Sequence, residues 1–335
     1  MSPERRIVHV LDDLAMGGVT RALKNFEHPQ LSGLGKHVTV DIRTAAVRAT
    51  SPDDIAIVHF TASWRKLPWL ADLRFRGRFS RIILIEHTYT EGFERFEVDR
   101  LARFRQMLKY AYRLTDTVVA VSHAQKRWIV GSGLASAQKV VAIPQSRDCA
   151  DLLQLPLPQR GQGPLQIGAF GRFHRQKGFD LLLEAMSRIP PRLAELKLAG
   201  TGPEEAGFSA MAERLPHVEI CPPFASPDRF LAGVDVVAIP SRWEAFGLVG
   251  AEARAAGRPI LAARVDGLID QLGAGAFPHD CADVASLTAS IYRAACTGDL
   301  HERGQLARRQ AAGEFDAMIE AWSGALVQQT YAEAA

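Results

Sequence analysis

Long apolar runs are what this sequence has least of. Nowhere in its 335 residues does an uninterrupted hydrophobic stretch approach the roughly 20 residues that cross a bilayer, so no membrane span is expected. Paired cysteines are missing too. Cys149, Cys221, Cys281 and Cys296 lie far apart with no C-x-x-C pair, which excludes a zinc ribbon or redox motif and predicts buried thiols. There is no internal repeat, no low-complexity tract, no G-x-G-x-x-G fingerprint and no P-loop G-K-[ST]. The opening MSPERRIVHVLDDL has only a short apolar-leaning run between Arg6 and Asp12, so it reads as a first strand rather than a signal peptide, and a cytoplasmic location is expected.

What is present is an ordinary globular composition: 47% hydrophobic and 23% charged residues exclude collagen, disorder and disulfide scaffolds. The length suits two domains of roughly 150 residues each. The net charge of +3 hides an asymmetry: residues 1–160 hold 24 Lys+Arg against 16 Asp+Glu, the remainder 16 against 21. A basic half beside an acidic one points to an anionic partner for the former.

Short β-branched runs alternate with helical patterns, the mark of parallel βαβ units. Predicted strands in the first half are Arg6–Leu11, Val38–Arg43, Ile55–Phe60, Ile82–Glu86, Thr117–Val121 and Val140–Ile143. A helix is predicted over Val98–Leu114, with Leu101, Phe104, Leu108 and Ala111 in one apolar stripe. The Pro-, Gln- and Gly-rich stretch before Leu165 reads as a linker. A second series follows at Leu165–Phe170, Leu196–Gly200, Val218–Cys221, Val234–Pro240 and Pro259–Ala263. The expectation is an α/β chain of two Rossmann-like, doubly wound domains facing each other across a cleft: residues 1–147, a linker at 148–164, and 165–314, with 315–335 packing back on the first domain. Ligands in such sheets bind at strand carboxyl ends, so the chemistry belongs in the loops after strands.

Three of those loops stand out. Asp12–Thr20 places Gly17 and Gly18 at a helix start, where open backbone amides suit a phosphate or carboxylate, or where the glycines only turn the chain. Gly171–Gly178, GRFHRQKG, sets Arg172 and Lys177 five residues apart before a helix, so that both cations can converge on a diphosphate, unless the loop is simply solvated. Ser241–Gly257, SRWEAFGLVGAEARAAG, carries Glu244 in the loop and Glu252 two turns into a helix opened by Gly247; the amides of Phe246, Gly247 and Leu248 are expected to face the same cleft. A loop carboxylate suits sugar hydroxyls and one further along suits a ribose; the plainer alternative is a helix-dipole glutamate and an exposed one.

Together GRFHRQKG, LAGTGP (Leu198–Pro203) and SRWEAFGLVGAEARAAGRPI resemble the C-terminal domain of retaining, group 1 (family 4) nucleotide-sugar glycosyltransferases of the GT-B fold, with the E-x7-E signature as Glu244 and Glu252. Met16-Gly17-Gly18-Val19 is similar to the family's glycine loop, His87 in ILIEHTYTEGF to its mid-domain histidine, and Val118–Ile129 to its strand and serine-capped helix. The usual hinge is replaced by Ile143–Asp148, and Asp270 stands where glutamate is common. The resemblance implies metal-free sugar transfer, with no D-x-D motif, from a nucleoside diphosphate sugar with retention at the anomeric carbon. Arg172 and Lys177 would neutralise the leaving diphosphate. Gly17 and Gly18 would approach the same phosphates. Glu244 would hold the sugar, Glu252 the ribose, and His87 would sit beside the reacting centre, unless it is a structural histidine at a strand end. The acceptor would be a glycan or a lipid-linked one, in exopolysaccharide, lipopolysaccharide or glycolipid synthesis.

Trp64–Arg81, WRKLPWLADLRFRGRFSR, interleaves Arg65, Lys66, Arg74, Arg76, Arg78 and Arg81 with Trp64, Trp69, Phe75 and Phe79. That mixture suits an anionic membrane surface, and so peripheral binding at the inner face of the plasma membrane, or else a plain solvated face. No nucleic-acid-binding signature accompanies it. Competing functions are a sugar-nucleotide epimerase or phosphorylase on the same architecture, for which no pyridoxal lysine is marked, and a non-catalytic glycan or lipid binder.

Overall fold

The computed structural model describes residues 5–13, 23–43, 47–159, 161–224 and 226–327. These form two compact units, one up to Arg147 and resuming at Phe315, the other Asp148–Glu314. Each is built on a six-stranded sheet in which every neighbouring pair is parallel.

In the first unit the strands are β1 (Arg6–Leu11), β2 (Lys36–Asp41), β3 (Ile55–Val58), β4 (Arg81–Glu86), β5 (Thr117–Ala120) and β6 (Val140–Ala142), in the order β2-β1-β3-β4-β5-β6. All six predicted strands exist. The second starts and ends earlier than its apolar pattern suggested, because the Asp41 carboxylate accepts the Arg43 amide at 2.9 Å and turns the chain. β3 and β4 are buried throughout, as strands covered by helices on both faces must be. The predicted long helix runs Leu101–Arg113 and buries Met107, Leu108, Ala111 and Tyr112. Leu101, expected in the apolar stripe, is exposed at the first turn instead.

In the second unit β7 (Leu165–Phe170), β8 (Ala194–Ala199), β9 (Val218–Cys221), β10 (Val236–Ile239), β11 (Ile260–Ala263) and β12 (Phe277–His279) run in the order β12-β11-β10-β7-β8-β9. This is the doubly wound order, with its switch point between β7 and β10. The sequence patterns missed β12, a three-residue strand containing Pro278, which only a sheet edge tolerates. Within the stretch expected as linker, a short helix Ala150–Leu153 places Leu152 fully buried in this unit's core. The thiol expectation fails: Cys149, Cys221 and Cys281 are half-buried and Cys296 is exposed.

The basic aromatic segment is split by the fold. Trp64 and Phe75 are exposed, Phe75 to 77%. Trp69 and Phe79 pack against the core, and Arg81 is buried with its guanidinium donating to the Ala325 carbonyl at 2.7 Å. Arg81 is therefore no part of a cationic surface. The reason is its place in β4, where the side chain reaches the terminal helix Glu314–Val327 rather than solvent.

Candidate functional site

In the second unit the loops after β7 and β10 flank the switch point, and the site is assembled by bracing one against the other. Gly178 makes the approach possible. Its φ of +66° is left-handed, and a Cβ there would fall 2.1 Å from the Pro240 carbonyl oxygen. Across the contact the Arg242 amide donates to the Gln176 carbonyl at 2.8 Å and Gln176 Nε2 to the Trp243 carbonyl at 3.1 Å. Arg242 also grips Asp180 with both guanidinium nitrogens, at 2.8 and 2.6 Å. Burial is the largest single influence on Asp180 and opposes its ionisation, but the hydrogen bonds and charge of Arg242, together with backbone amides, jointly outweigh it and hold the carboxyl below its ordinary value.

That frame brings Lys177 and Glu244 together, Nζ to Oε2 at 2.5 Å, with Ser241 Oγ donating to the same oxygen at 3.1 Å. Glu244 is buried, and its backbone is fixed at both ends by the turn that follows β11: the Glu244 amide donates to Asp266 Oδ2 at 3.1 Å and the Gly267 amide to the Glu244 carbonyl at 2.9 Å. Gly247, at φ +90°, caps the helix Leu248–Ala255; a Cβ there would lie 2.8 Å from Leu268 Cδ2 and 3.0 Å from Glu244 Cγ. Gln271 Nε2 holds the carbonyls of Phe246 and Gly247 at 2.6 and 3.1 Å, which sets the pitch of that turn and leaves the first amides of the helix without intrahelical partners.

Arg172 stands exposed on the same β7 loop, its Nη2 3.4 Å from Gln176 Oε1. Glu252 is half-buried one turn before the helix end. Sequence reading missed Ser241, Asp266 and Gln271. Ser241 was within reach, being three residues from Glu244 on the same loop; Asp266 and Gln271 act from a third loop, and only the sheet order shows that the β11 turn lies against the β10 loop.

In the first unit His87 follows β4 on a turn organised by the preceding residue. Glu86 is buried and accepts the amides of Thr88 and Tyr89 at 3.0 and 2.9 Å and the Tyr112 hydroxyl at 3.0 Å. His87 Nδ1 is 2.9 Å from Gln145 Nε2, and the ring stacks on His59 with centroids 5.8 Å apart and 16° between planes. Burial pushes His87 down to about 4, so the ring is neutral at physiological pH. Behind His59 lie His9 and His37. His37 pairs across β2–β1 with Ile7 and His9 pairs across β1–β3 with Ile57, so each histidine sits two residues beyond its neighbour's level. An even step keeps all four on one face of the sheet, as a diagonal row. Phe26 covers the row, 4.6 Å from His9, and Trp322 of the terminal helix covers Phe26 at 5.0 Å. The sequence reading singled out His87 alone. Gly17 and Gly18 lie outside the described residues.

Residues 164–295 match the family model described as Glycosyl transferases group 1. Among curated proteins, the D-inositol 3-phosphate glycosyltransferase of Segniliparus rotundus is 41% identical over 117 residues, covering 31% of this chain and 26% of that protein. The chain spans 24% to 40% of the length of the first curated relatives it matches. Among solved structures, Anabaena HepE, crystallised in complex with UDP, superposes with a TM-score of 0.75 at 18% identity over 96% of this chain and 99% of its own. Sucrose-phosphate synthase from Thermosynechococcus elongatus does so with 0.75 at 19% identity, over 96% and 98%. Residues 164–295 therefore belong to the group 1 glycosyl transferases, set in a chain with the GT-B fold of two Rossmann-like domains.

Proposed function

We propose that this protein transfers a sugar from a nucleoside diphosphate sugar, with retention at the anomeric carbon and without a bound metal, to a glycan or lipid-linked acceptor. The observation that carries the proposal is the pairing of half-buried Lys177 with buried Glu244 at the β7/β10 switch point, inside the segment that matches the family. A lysine paired with a carboxylate can share its charge with an arriving diphosphate, and a carboxylate so held can turn its second oxygen to sugar hydroxyls. Arg172, exposed on the same loop, adds the second cation. As the glycosidic bond to the diphosphate breaks, negative charge grows on the leaving phosphate, and preplaced cations lower that barrier. The amides at Phe246, Gly247 and Leu248 and the Gly17-Gly18 loop serve the phosphates, Glu252 the ribose. Neutral His87 serves the sugar as a hydrogen-bonding group, since a ring held neutral brings no charge to the reacting centre. That HepE was crystallised with UDP supports a nucleoside diphosphate as the common element.

The exposed part of the basic segment supports an anionic bilayer as the place where a lipid-linked acceptor is met: Trp64 and Phe75 stand out beside Arg65, Arg74, Arg76 and Arg78. Among the described residues no helix is long and apolar enough to cross a membrane. The test of the donor reading is a melting-temperature panel with UDP-, GDP- and ADP-sugars. A donor that binds only the folded state raises the midpoint. No rise with any of them removes the donor assignment.

A further inference from the structure

The histidine row of the first unit fixes its own protonation pattern from one end. His37 Nε2 lies 3.1 Å from the Leu31 carbonyl oxygen, which can only accept, so that nitrogen carries the ring proton. His37 Nδ1 is then a lone pair in the neutral ring, and His9 Nε2, 2.8 Å away, must donate to it. His9 Nδ1 in turn accepts from His59 Nε2 at 2.9 Å. The chain of forced choices ends at His59 Nδ1, an unprotonated acceptor that is buried and has no hydrogen-bond partner among the described residues.

His87 presents the complement. Gln145 Nε2 donates to its Nδ1, so the proton of the neutral ring is on Nε2, which is also buried and has no hydrogen-bond partner among the described residues. Both rings line one cavity of about 30 Å³ walled by Phe26, Val119, Ile143 and Trp322. That volume matches one hydroxyl-sized group. None of the residues lining it is charged, so a phosphate or carboxylate there would be a buried, uncompensated charge. A group that satisfies both rings has to donate to one and accept from the other. A buried ring nitrogen left unsatisfied is costly, and relieving that cost gives such a group its affinity.

We propose that this cavity receives one sugar hydroxyl, which donates to His59 Nδ1 and accepts from His87 Nε2–H, and that His9 and His37 are positioning residues holding His59 in the tautomer that accepts. The proposal rests on the glycosyltransferase reading only for the source of the hydroxyl. It assigns a selectivity: an ether or fluorine in place of the hydroxyl only accepts, and a hydrogen does neither. The deoxy analogue of the recognised sugar should bind at least about tenfold more weakly.

The test uses the full chain with ring-¹⁵N histidine at pH 7.5. Its spectrum should show His37, His9, His59 and His87 all as Nε2–H tautomers. Three probes are then added separately: whichever of UDP-glucose, GDP-mannose and ADP-glucose raises the melting temperature most, the corresponding nucleoside diphosphate, and free glucose or mannose at high concentration. The expected result is an upfield movement of His59 Nδ1 and a change at His87 Nε2–H with a sugar-bearing probe and none with the nucleoside diphosphate. Response to the nucleotide sugar assigns the hydroxyl to the donor; response to the free sugar alone assigns it to the acceptor. His37→Phe, folded by its melting curve, should convert His59 to a mixture of tautomers, which a merely structural histidine would not do. Nδ1–H at His59 in the unliganded protein overturns the proposal. So do rings unmoved by every sugar, or moved equally by the nucleoside diphosphate. If a nucleotide sugar raises the melting temperature while both rings stay unmoved, the cavity holds a buried water only and the donor reading stands. If none raises it, the donor reading falls and the free-sugar arm alone decides the cavity.

Discussion

The second unit builds its candidate site from charge and the first builds its own from neutral rings, and the two are stabilised in opposite ways. Around the β7/β10 switch point, Lys177 meets Glu244, which Ser241 on the same loop also supports, and Arg242 meets Asp180. Along β2, β1, β3 and β4, burial strips four histidines of their charge: His9 is pushed down to about 3, His87 to about 4, His59 well below its ordinary 6.5, and His37 in the same direction. A charged site can follow a substrate's changing charge. A neutral, tautomer-locked one can measure hydrogen-bonding pattern.

The largest effect should come from the charged side. Arg172→Ala and Lys177→Ala should each lower the transfer rate by about 10²-fold or more, the usual loss when a group that stabilises leaving-group charge is removed. Steady-state rates with the donor identified by melting temperature check this; parental rates in either variant would remove the diphosphate role. Activity should survive chelator. A strict requirement for Mg²⁺ or Mn²⁺ would transfer that role from the two side chains to an ion.

Acid should separate the two units. A histidine whose folded pKa lies below its unfolded 6.5 binds its proton mainly in the unfolded state, so stability is full above pH 6.5 and is lost as pH falls from there toward the folded value. Each such ring contributes a slope of about 1.4 kcal/mol per pH unit across that window. Glu86 works the other way, because burial pushes its carboxyl up from 4.5, but it is one group against four. In the second unit His279 on β12 is pushed down by burial in the same sense, but around β7 and β10 the Asp180 contribution is present above 3.8 and is lost only below it. Hydrogen exchange between pH 6.5 and 4.5 should show protection falling first on β1–β4 and later on β7 and β10. Equal loss in both units would mean that the histidines do not govern the first.

Within the charged site a finer division is expected. Glu252→Ala should weaken binding of the free nucleoside diphosphate, whereas Glu244→Ala should spare it and weaken the nucleotide sugar. Titration calorimetry on both variants settles the matter, and equal losses of nucleotide affinity would merge the two roles. The smallest effect concerns the exposed face of the basic segment. Phe75→Ser should reduce the salt-resistant part of co-sedimentation with anionic vesicles, while Arg74, Arg76 and Arg78 supply a salt-sensitive part of roughly 1 kcal/mol each. No binding to anionic vesicles at low salt would leave a soluble acceptor as the better account.

Much of this architecture was legible because parallel, doubly covered strands write themselves as short apolar runs. β7 and β9 match their predicted bounds, and the loops after β7 and β10 could be picked out by their glycines and charges. The histidine row could not. In RIVHVL, KHVTVD and IVHF each histidine interrupts a good strand pattern and looks like an isolated polar exception; only the sheet order and its two-residue stagger put them on one face. Asp266 and Gln271 escaped for a similar reason, since strand order rather than chain order makes the β11 turn a neighbour of Glu244. Arg81 misled in the other direction: a cation in an arginine-rich stretch looks solvated until the β4 register points it at the last helix.

That last helix sets a timetable for synthesis. Met318, Ile319, Trp322 and Leu326 are buried in the first unit, and the carbonyls of Ala325 and Leu326 accept from Arg81 and Arg5. Yet between Arg147 and this helix the ribosome must make all of residues 148–314, a unit that has its own six-stranded sheet. At about 5–20 residues per second, β1 to β6 wait roughly ten to thirty seconds for their final layer. During that interval Phe26 and the histidines beneath it lack Trp322 as cover, and the nascent chain exposes an aromatic and imidazole face that a chaperone can hold. The earlier-made half of the protein is thus the later to be finished.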